Sequence, residues 1–108
     1  MPVNKLNLSS EAKNDLAEIK AYISMELNNP QAAVSTLKKI TKTMRMLRDH
    51  AAIGVPLYVV THDDDGSHRR FLTGGNYIIF YRSFKDNIYI DRVLYSRRDY
   101  MRILFGDI

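Results

Sequence analysis

The stretch that decides the fold runs from Asn76 to Arg98, NYIIFYRSFKDNIYIDRVLYSRR. Two segments rich in β-branched and aromatic residues flank the polar break Lys85-Asp86-Asn87, whose length is typical of a hairpin connection. Because such residues fit a pleated, half-buried surface, both segments are predicted to be strands. Alternation gives the first strand two apolar faces, with Ile78, Phe80 and Phe84 on one and Tyr77, Ile79 and Tyr81 on the other. A strand of this kind usually lies inside a sheet, so the hairpin is predicted to be central.

Length and composition indicate a single domain spanning residues 1–108, with one modest core. The chain has no cysteine, which excludes disulfides and thiolate metal sites. No apolar run approaches the roughly 18 residues of a membrane span, and the first residues lack a signal-peptide core. We therefore expect a cytoplasmic protein that needs no membrane and no cofactor.

The N-terminal third predicts a strand followed by a long helix. Val3 to Leu8 alternates apolar and polar residues, as a short strand does. Ser9 or Ser10 can cap a helix that we expect to run from about Ser10 to Leu27. Its apolar stripe consists of Ala12, Leu16, Ile19, Ile23 and Leu27.

A second helix is predicted directly after the first. Asn29 is a suitable N-cap, and Pro30 fits the first helical position. Its apolar stripe consists of Ala33, Leu37, Ile40, Met44 and Leu47, and it ends before Gly54. Two helices joined by so short a link form an antiparallel hairpin, which we expect to cover one face of the sheet. The other face would then stay partly open.

The remaining segments complete a small α+β domain. Leu57 to Thr61 is predicted to be an edge strand or an extended crossing segment, and Arg69 to Thr73 a strand. Asp63-Asp64-Asp65 lacks the alternate oxygen spacing and the distal Glu of a calcium loop, so we expect no metal site. Asp99 to Phe105 is predicted to be a short C-terminal helix. The fold class is therefore a small antiparallel sheet with an N-terminal strand, a two-helix hairpin on one face and a final short helix.

The second half of the chain is locally basic. From Arg69 to Arg102 it contains eight Lys or Arg residues against three Asp residues. Such a surface suggests a polyanion or an acidic protein as partner, with a solvated basic face as the alternative. The candidate binding residues in this region are Arg69, Tyr77, Tyr81 and Arg82. Which of them share a face depends on strand register, because a slip of one residue exchanges the two faces.

Several motifs, taken in order, resemble the RelE/ParE superfamily, the toxins of bacterial type II toxin–antitoxin modules. The resemblance covers nearly the whole chain. Its motifs are Ala12-x-x-Asp15-Leu16-x-x-Ile19-x-x-Tyr22-Ile23, Asn29-Pro30-x-Ala32-Ala33, Arg70 before the glycine turn, Asn76-Tyr77-Ile78-Ile79-Phe80-Tyr81, and Arg92-Val93-Leu94-Tyr95-x-Arg97-Arg98-Asp99. The fold of this family agrees with the architecture that periodicity predicts.

The resemblance implies a toxin that a cognate antitoxin neutralises, with one of two modes of action. RelE-type members cut mRNA on the ribosome, whereas ParE-type members poison DNA gyrase and are not enzymes. In the RNA-cleaving branch, basic residues stand at the positions of Arg70 and Arg98, with Arg97 beside them, and Tyr100 is a candidate phenol. These four residues would be catalytic only in a metal-independent ribonuclease, where guanidiniums grip the phosphate and a phenol or histidine moves the proton.

Departures from the RNA-cleaving pattern favour the ParE-type mode. Tyr77 stands where that branch usually has an arginine, and neither a C-terminal His-Tyr nor a Glu base occurs at a matching place. We therefore expect a gyrase-directed toxin, with an mRNA-cleaving toxin as the alternative and a simple nucleic-acid-binding module after that. A purely structural interpretation also stays open, in which Arg92 and Tyr81 brace the sheet and Arg98-Asp99 is a local ion pair.

Overall fold

A computed structural model describes residues 5–56, 68–72 and 76–96 of the chain. The elements follow one another as β1 (Lys5–Leu8), α1 (Ser10–Ala21), a π-helical turn (Tyr22–Glu26), α2 (Pro30–Asp49), β2 (Val55–Pro56), β3 (His68–Leu72), β4 (Tyr77–Phe84) and β5 (Asn87–Tyr95). This order confirms the predicted α+β fold. The predicted strand Leu57–Thr61, the turn at Asp63–Asp65 and the helix Asp99–Phe105 lie outside the described residues.

The described strands form one sheet in the order β1-β5-β4-β3-β2, with the β4–β5 hairpin near its centre. The hairpin turns at Lys85 and Asp86, and Lys85 adopts a positive φ of 55° that the tight connection requires. Asn87, predicted to lie in the break, belongs to β5 and pairs with Phe84. The N-terminal strand β1 pairs with β5 in parallel, from Lys5 opposite Asn87 to Leu8 opposite Ile90, so the sheet is mixed rather than purely antiparallel.

A β-bulge interrupts the central hairpin. Phe80 lies opposite Arg92, but the next residue, Tyr81, lies opposite Ile90, so Asp91 is an extra residue on β5. Because of that extra residue, Ile90 and Val93 both belong to the core cluster although they are three positions apart. The bulge therefore turns Asp91 and Arg92 out of the regular alternation of the strand.

Both helices begin at the caps that the sequence predicts. The Ser9 hydroxyl accepts a hydrogen bond from the Ala12 amide at 2.9 Å, and it donates one to the Asp91 carbonyl at 2.7 Å. The Asn29 side chain accepts from the Ala32 amide at 3.0 Å, with Pro30 at the first position of α2. Ser9 thus satisfies an orphan amide of α1 and also ties the start of that helix to the bulge.

The end of the first helix differs from the prediction. An α-helix was expected to continue to Leu27 with that side chain turned inward, but residues Tyr22–Glu26 wind as a π-helix, and the Leu27 amide donates to the Tyr22 carbonyl at 3.2 Å. The wider winding adds a residue to the turn and shifts the phase of the apolar stripe. Leu27 is consequently 56% exposed.

The core lies between the helical hairpin and one face of the sheet. The predicted stripes supply most of its helical half, including Ala12, Ile19, Ile23, Ala33, Ile40, Met44 and Leu47. The sheet contributes Ile79, Tyr81, Ile88, Ile90 and Val93. On the opposite face Ile78, Phe80 and Leu94 are also buried, whereas Arg82, Phe84 and Tyr89 are not, so that face is partly open as predicted. None of the helices among the described residues could cross a membrane.

Candidate functional site

A buried carboxylate on α1 joins the helix to the bulge of the sheet. Asp15 is 5% exposed and accepts hydrogen bonds from Arg92 Nε and Nη2, both at 2.8 Å. It also accepts a third hydrogen bond from the Val93 amide at 3.0 Å. The pairing with Asp15 raises the pKa of the Arg92 guanidinium. Arg92 therefore stays charged and has two of its donors directed at a protein carboxylate.

A second bidentate pair lies on the other side of the bulge. Arg82 Nε donates to one carboxylate oxygen of Asp91 at 2.8 Å, and Nη2 donates to the other at 3.0 Å. The Arg82 guanidinium also lies 5.5 Å from the centre of the Tyr89 ring, within the range of a cation–π contact. The hydrogen bonds that Arg82 donates to Asp91 raise the pKa of the Arg82 guanidinium. Both described arginines of the central hairpin are thus engaged by carboxylates.

The Tyr81 hydroxyl lies inside the protein. Tyr81 is 1% exposed, and its hydroxyl donates to the Ala51 carbonyl at 2.8 Å and accepts from the Gly54 amide at 2.9 Å. Gly54 allows this close approach, because a Cβ there would lie only 2.8 Å from Cε1 of the Tyr81 ring. Tyr81 therefore holds the chain after α2 against the sheet, as the bracing interpretation expects.

An open groove of about 620 Å³ lies between the end of the first helix and the hairpin. Its walls are mainly apolar and include Ile19, Tyr22, Ile23, Leu27, Tyr77 and Tyr95. Three of these, Tyr22, Leu27 and Tyr95, are 54%, 56% and 38% exposed. Large apolar side chains grouped around a concavity are typical of a binding surface rather than of a solvated face.

Tyr77 and Tyr95 line this groove side by side. Their ring centres are 5.8 Å apart and the ring planes are tilted by 59°. Burial raises the pKa of the Tyr77 phenol, and the neighbouring phenols of Tyr95 and Tyr22 raise it further. A phenol with a raised pKa is a poor general base near neutral pH, because the ideal catalytic pKa lies close to the working pH.

The structure separates the residues that the sequence nominated. Tyr77 and Tyr81 lie on the sheet face that the helices cover, whereas Arg82 lies on the opposite face. In the strand register Arg69 is opposite Tyr81 and Arg70 is opposite Phe80. The remaining candidates Arg97, Arg98 and Tyr100 lie outside the described residues. Among the candidates whose side chains are described, Arg82 is therefore separated from Tyr77 and Tyr81.

Sequence reasoning gave no role to Asp15 and did not find the groove. A signal for Asp15 was present, because a carboxylate three residues after Ala12 and four before Ile19 falls on the buried stripe of its helix. The groove had no comparable signal, since it depends on the π-helical turn that exposes Leu27. Within residues 5–56, 68–72 and 76–96, no group of three His, Asp or Glu side chains could hold a metal ion.

Comparison with known proteins identifies the family. The family model for the ParE toxin of the type II toxin–antitoxin system parDE matches residues 6–100. No match is found among curated protein sequences. Among solved structures, the chain is similar to one described as the chromosomal ParDE TA system from P. aeruginosa, with a TM-score of 0.73 and 17% sequence identity over 90% of this chain and 100% of the other. Since the family model covers most of the chain, this protein belongs to the ParE toxin family of type II toxin–antitoxin systems.

Proposed function

We propose that this toxin arrests growth by binding DNA gyrase and does not cleave RNA. Its family membership establishes a type II toxin with a cognate antitoxin, and the target class is the one that the resemblance to ParE-type toxins implies. The observation that carries the choice is the state of the central hairpin, where Arg82 and Arg92 each face a carboxylate through two hydrogen bonds. These arginines stabilise the fold, and the donors they use for it are not available to bind a phosphate.

RNA cleavage by the 2′-hydroxyl needs a base, an acid and donors for the phosphorane oxygens. To donate to the phosphorane, Arg92 would have to break its pair with the buried carboxylate of Asp15. The negative charge of Asp15 would then remain buried without its cation, which is costly. The phenol of Tyr81 is committed to two backbone groups, and that of Tyr77 has a raised pKa. The described side chains thus support recognition of a partner more than proton transfer.

The groove is the surface that we assign to the antitoxin. It opens between side chains of the first helix and the paired strands β4 and β5. Among the described residues, β1 pairs only with Asn87 to Ile90 of β5, so the groove-lining residues Val93 to Tyr95 lie beyond that pairing. A partner that packs its side chains against the apolar walls without pairing with a strand must satisfy its own backbone hydrogen bonds. An amphipathic helix does so while presenting apolar side chains at positions i, i+3 and i+4. We therefore assign the apolar walls to a helical antitoxin segment, with an extended tail that pairs with β5 as the alternative.

Two parallel assays of the purified toxin test the proposed target. In the first, the toxin is added to translating ribosomes and mRNA is examined for cleavage. In the second, it is added to gyrase with supercoiled plasmid, and covalent gyrase–DNA breaks are trapped. We expect breaks in the second assay and intact mRNA in the first. Ribosome-dependent cleavage that disappears in Arg98→Ala would overturn the choice and move the protein to the RNA-cleaving branch.

A further inference from the structure

The positive charge of the chain is concentrated on one helix. The whole chain has 16 Lys and Arg residues and 12 Asp and Glu residues, for a net charge of +4. Helix α2 contains five of the cations and a single acid, Asp49. Outside α2 there are eleven residues of each sign, so this helix alone accounts for the net charge.

Three of these cations form a row on the outer side of α2. The inner side of the helix is fixed by the buried residues Ala33, Ile40, Met44 and Leu47. Lys38, Lys42 and Arg45, here called the α2 stripe, follow one another at spacings of four and three on the opposite side. All three are exposed, and they span about 10 Å along the helix axis. None of them makes an ion pair with another residue in the described part of the chain.

The pattern of the stripe differs from that of an ordinary solvated helix. Residues three and four apart on a helix are neighbours, and solvated helices usually place opposite charges at these spacings. Here Lys42 has Lys38 four positions before it, Lys39 three before it and Arg45 three after it. Like charges at these spacings oppose helix formation. Only Arg45 has an opposite charge at such a spacing, Asp49 four positions after it. Lys42 has like charges alone, which weakens the isolated helix and favours a ligand that neutralises the stripe.

The composition of this face selects among anionic ligands. No aromatic residue accompanies the stripe, whereas proteins that grip single strands stack bases on aromatic rings. The apolar side of α2 is used in the core, and Val34 is its one exposed large apolar residue, so insertion into a membrane surface is not supported. Lysine is also depleted from protein–protein interfaces, which centre on apolar anchors. Lysine and arginine alone, in a regular row, suit the phosphates of a duplex backbone.

We propose that the outer face of α2 binds the phosphate backbone of duplex DNA through Lys38, Lys42 and Arg45. The choice of DNA over duplex RNA rests on the proposed function, since gyrase holds duplex DNA. The contact is independent of base sequence, because only phosphates are engaged. It places the toxin against DNA by a surface separate from the groove of the antitoxin.

The test measures binding of the full-length toxin to a fluorescent DNA duplex by anisotropy over a range of salt concentrations. Three phosphate contacts give a slope of about −2.7 in log K against log salt, so affinity falls about 40-fold from roughly 50 to 200 mM salt. The variant Lys38→Gln/Lys42→Gln/Arg45→Gln should lose this slope and most of the affinity. The matched control Lys5→Gln/Lys13→Gln/Lys20→Gln removes the same number of positive charges, but from β1 and α1. This control should retain both the salt dependence and the affinity.

Other arms of the experiment identify the ligand and verify folding. Equal loss in both triple variants would overturn the proposal, because it would reduce the effect to net charge. Tighter binding of an RNA duplex of the same sequence would overturn the assignment of DNA as the ligand. If polyglutamate displaces the fluorescent duplex as well as unlabelled DNA does, the ligand is instead an acidic protein. Circular dichroism confirms that each variant is helical, and the single variant Lys42→Gln, which removes one contact, should lower the slope by about 0.9.

Failure of this proposal is distinguishable from failure of the gyrase proposal, because the anisotropy measurement contains no gyrase. If the toxin binds DNA through the stripe but produces no gyrase-linked breaks, the proposal that gyrase is the target is wrong and the proposed DNA-binding surface stands. If the toxin produces such breaks but has no measurable affinity for DNA, the gyrase proposal stands and the proposed DNA-binding role of the stripe is wrong.

Discussion

Arg92 on β5 and Asp15 on α1 are 77 residues apart in the chain and meet in a bidentate pair whose two hydrogen bonds are both 2.8 Å long. Asp15 is almost fully buried, and its third hydrogen bond comes from the Val93 amide. The pair therefore fixes the first helix on the bulge of the central hairpin. It also positions one wall of the groove, because Asp15, Ile19 and Tyr22 follow one another along that wall.

Removing the carboxylate of Asp15 should destabilise the fold strongly. We expect Asp15→Ala to lower the free energy of unfolding by about 3 kcal/mol, because it leaves a partly buried guanidinium and a backbone amide without their acceptor. Chemical denaturation measures this loss. Glu18→Gln is the control, since Glu18 is exposed on the same helix and should change stability by less than about 0.5 kcal/mol. A double-mutant cycle with Arg92→Ala that gives no coupling energy would contradict the structural role of the pair.

Loss of the Tyr81 hydroxyl should reduce stability rather than act on a chemical step. Tyr81→Phe removes the hydroxyl that bonds the Ala51 carbonyl and the Gly54 amide, and the loss of two such hydrogen bonds costs about 2 kcal/mol. Tyr89→Phe is the control, because it keeps the ring beside Arg82 and removes a hydroxyl from a less buried site. Thermal unfolding separates the two variants. A Tyr81→Phe toxin that is as stable as the wild type but inactive would instead indicate a functional phenol.

The sequence predicted most of the fold because its signals are local. The caps Ser9 and Asn29 act within three residues, and the stripe from Ala33 to Leu47 follows from helical periodicity alone. The site depends on relations that periodicity does not contain. The register that opposes Tyr81 to Ile90 decides where Arg92 points, and the π-helical turn decides that Leu27 faces the groove. Charge counting likewise emphasised residues 69–102, where Arg82 and Arg92 are engaged by carboxylates, and passed over α2.

Alkaline pH should destabilise the protein partly through Tyr77. Burial raises the pKa of this phenol in the folded state, so above the ordinary tyrosine pKa of about 10 the unfolded chain loses the proton first. The folded state then binds more protons than the unfolded state, and stability falls as pH rises. Below about pH 10 the contribution is complete, and it is lost as pH rises through the raised pKa. The raised pKa values of Arg82 and Arg92 lie above this window.

Unfolding in denaturant at about pH 8 and about pH 10.5 measures this effect. The Tyr77→Phe variant should lose less stability between the two pH values than the wild type does, because it has no phenol to titrate at that position. Tyr89→Phe serves as the control for the loss of a hydroxyl from the same hairpin. An equal alkaline loss in wild type and Tyr77→Phe would assign the destabilisation to other groups.

The last prediction concerns the antitoxin and the groove. Leu27 lines the groove and is 56% exposed, so Leu27→Glu should leave the fold intact while placing a charge where an apolar partner helix must pack. We expect the dissociation constant of the toxin–antitoxin complex to rise at least about tenfold, since burying an unpaired charge opposes association by more than 1.4 kcal/mol. Calorimetric titration of the purified toxin with its antitoxin measures the change.

Met25→Glu is the matched control for this prediction. Met25 lies in the π-helical turn directly before Leu27 and is 77% exposed, but it does not line the groove. The same charge placed there should leave the affinity for antitoxin nearly unchanged, because the side chain can remain in water. In cells, antitoxin should rescue growth from the Met25→Glu toxin and fail to rescue it from the Leu27→Glu toxin. If both variants bind antitoxin as the wild type does, the antitoxin covers another surface. The strands β1 and β2, which end the sheet formed by the described residues, then become the place to look for an extended partner strand.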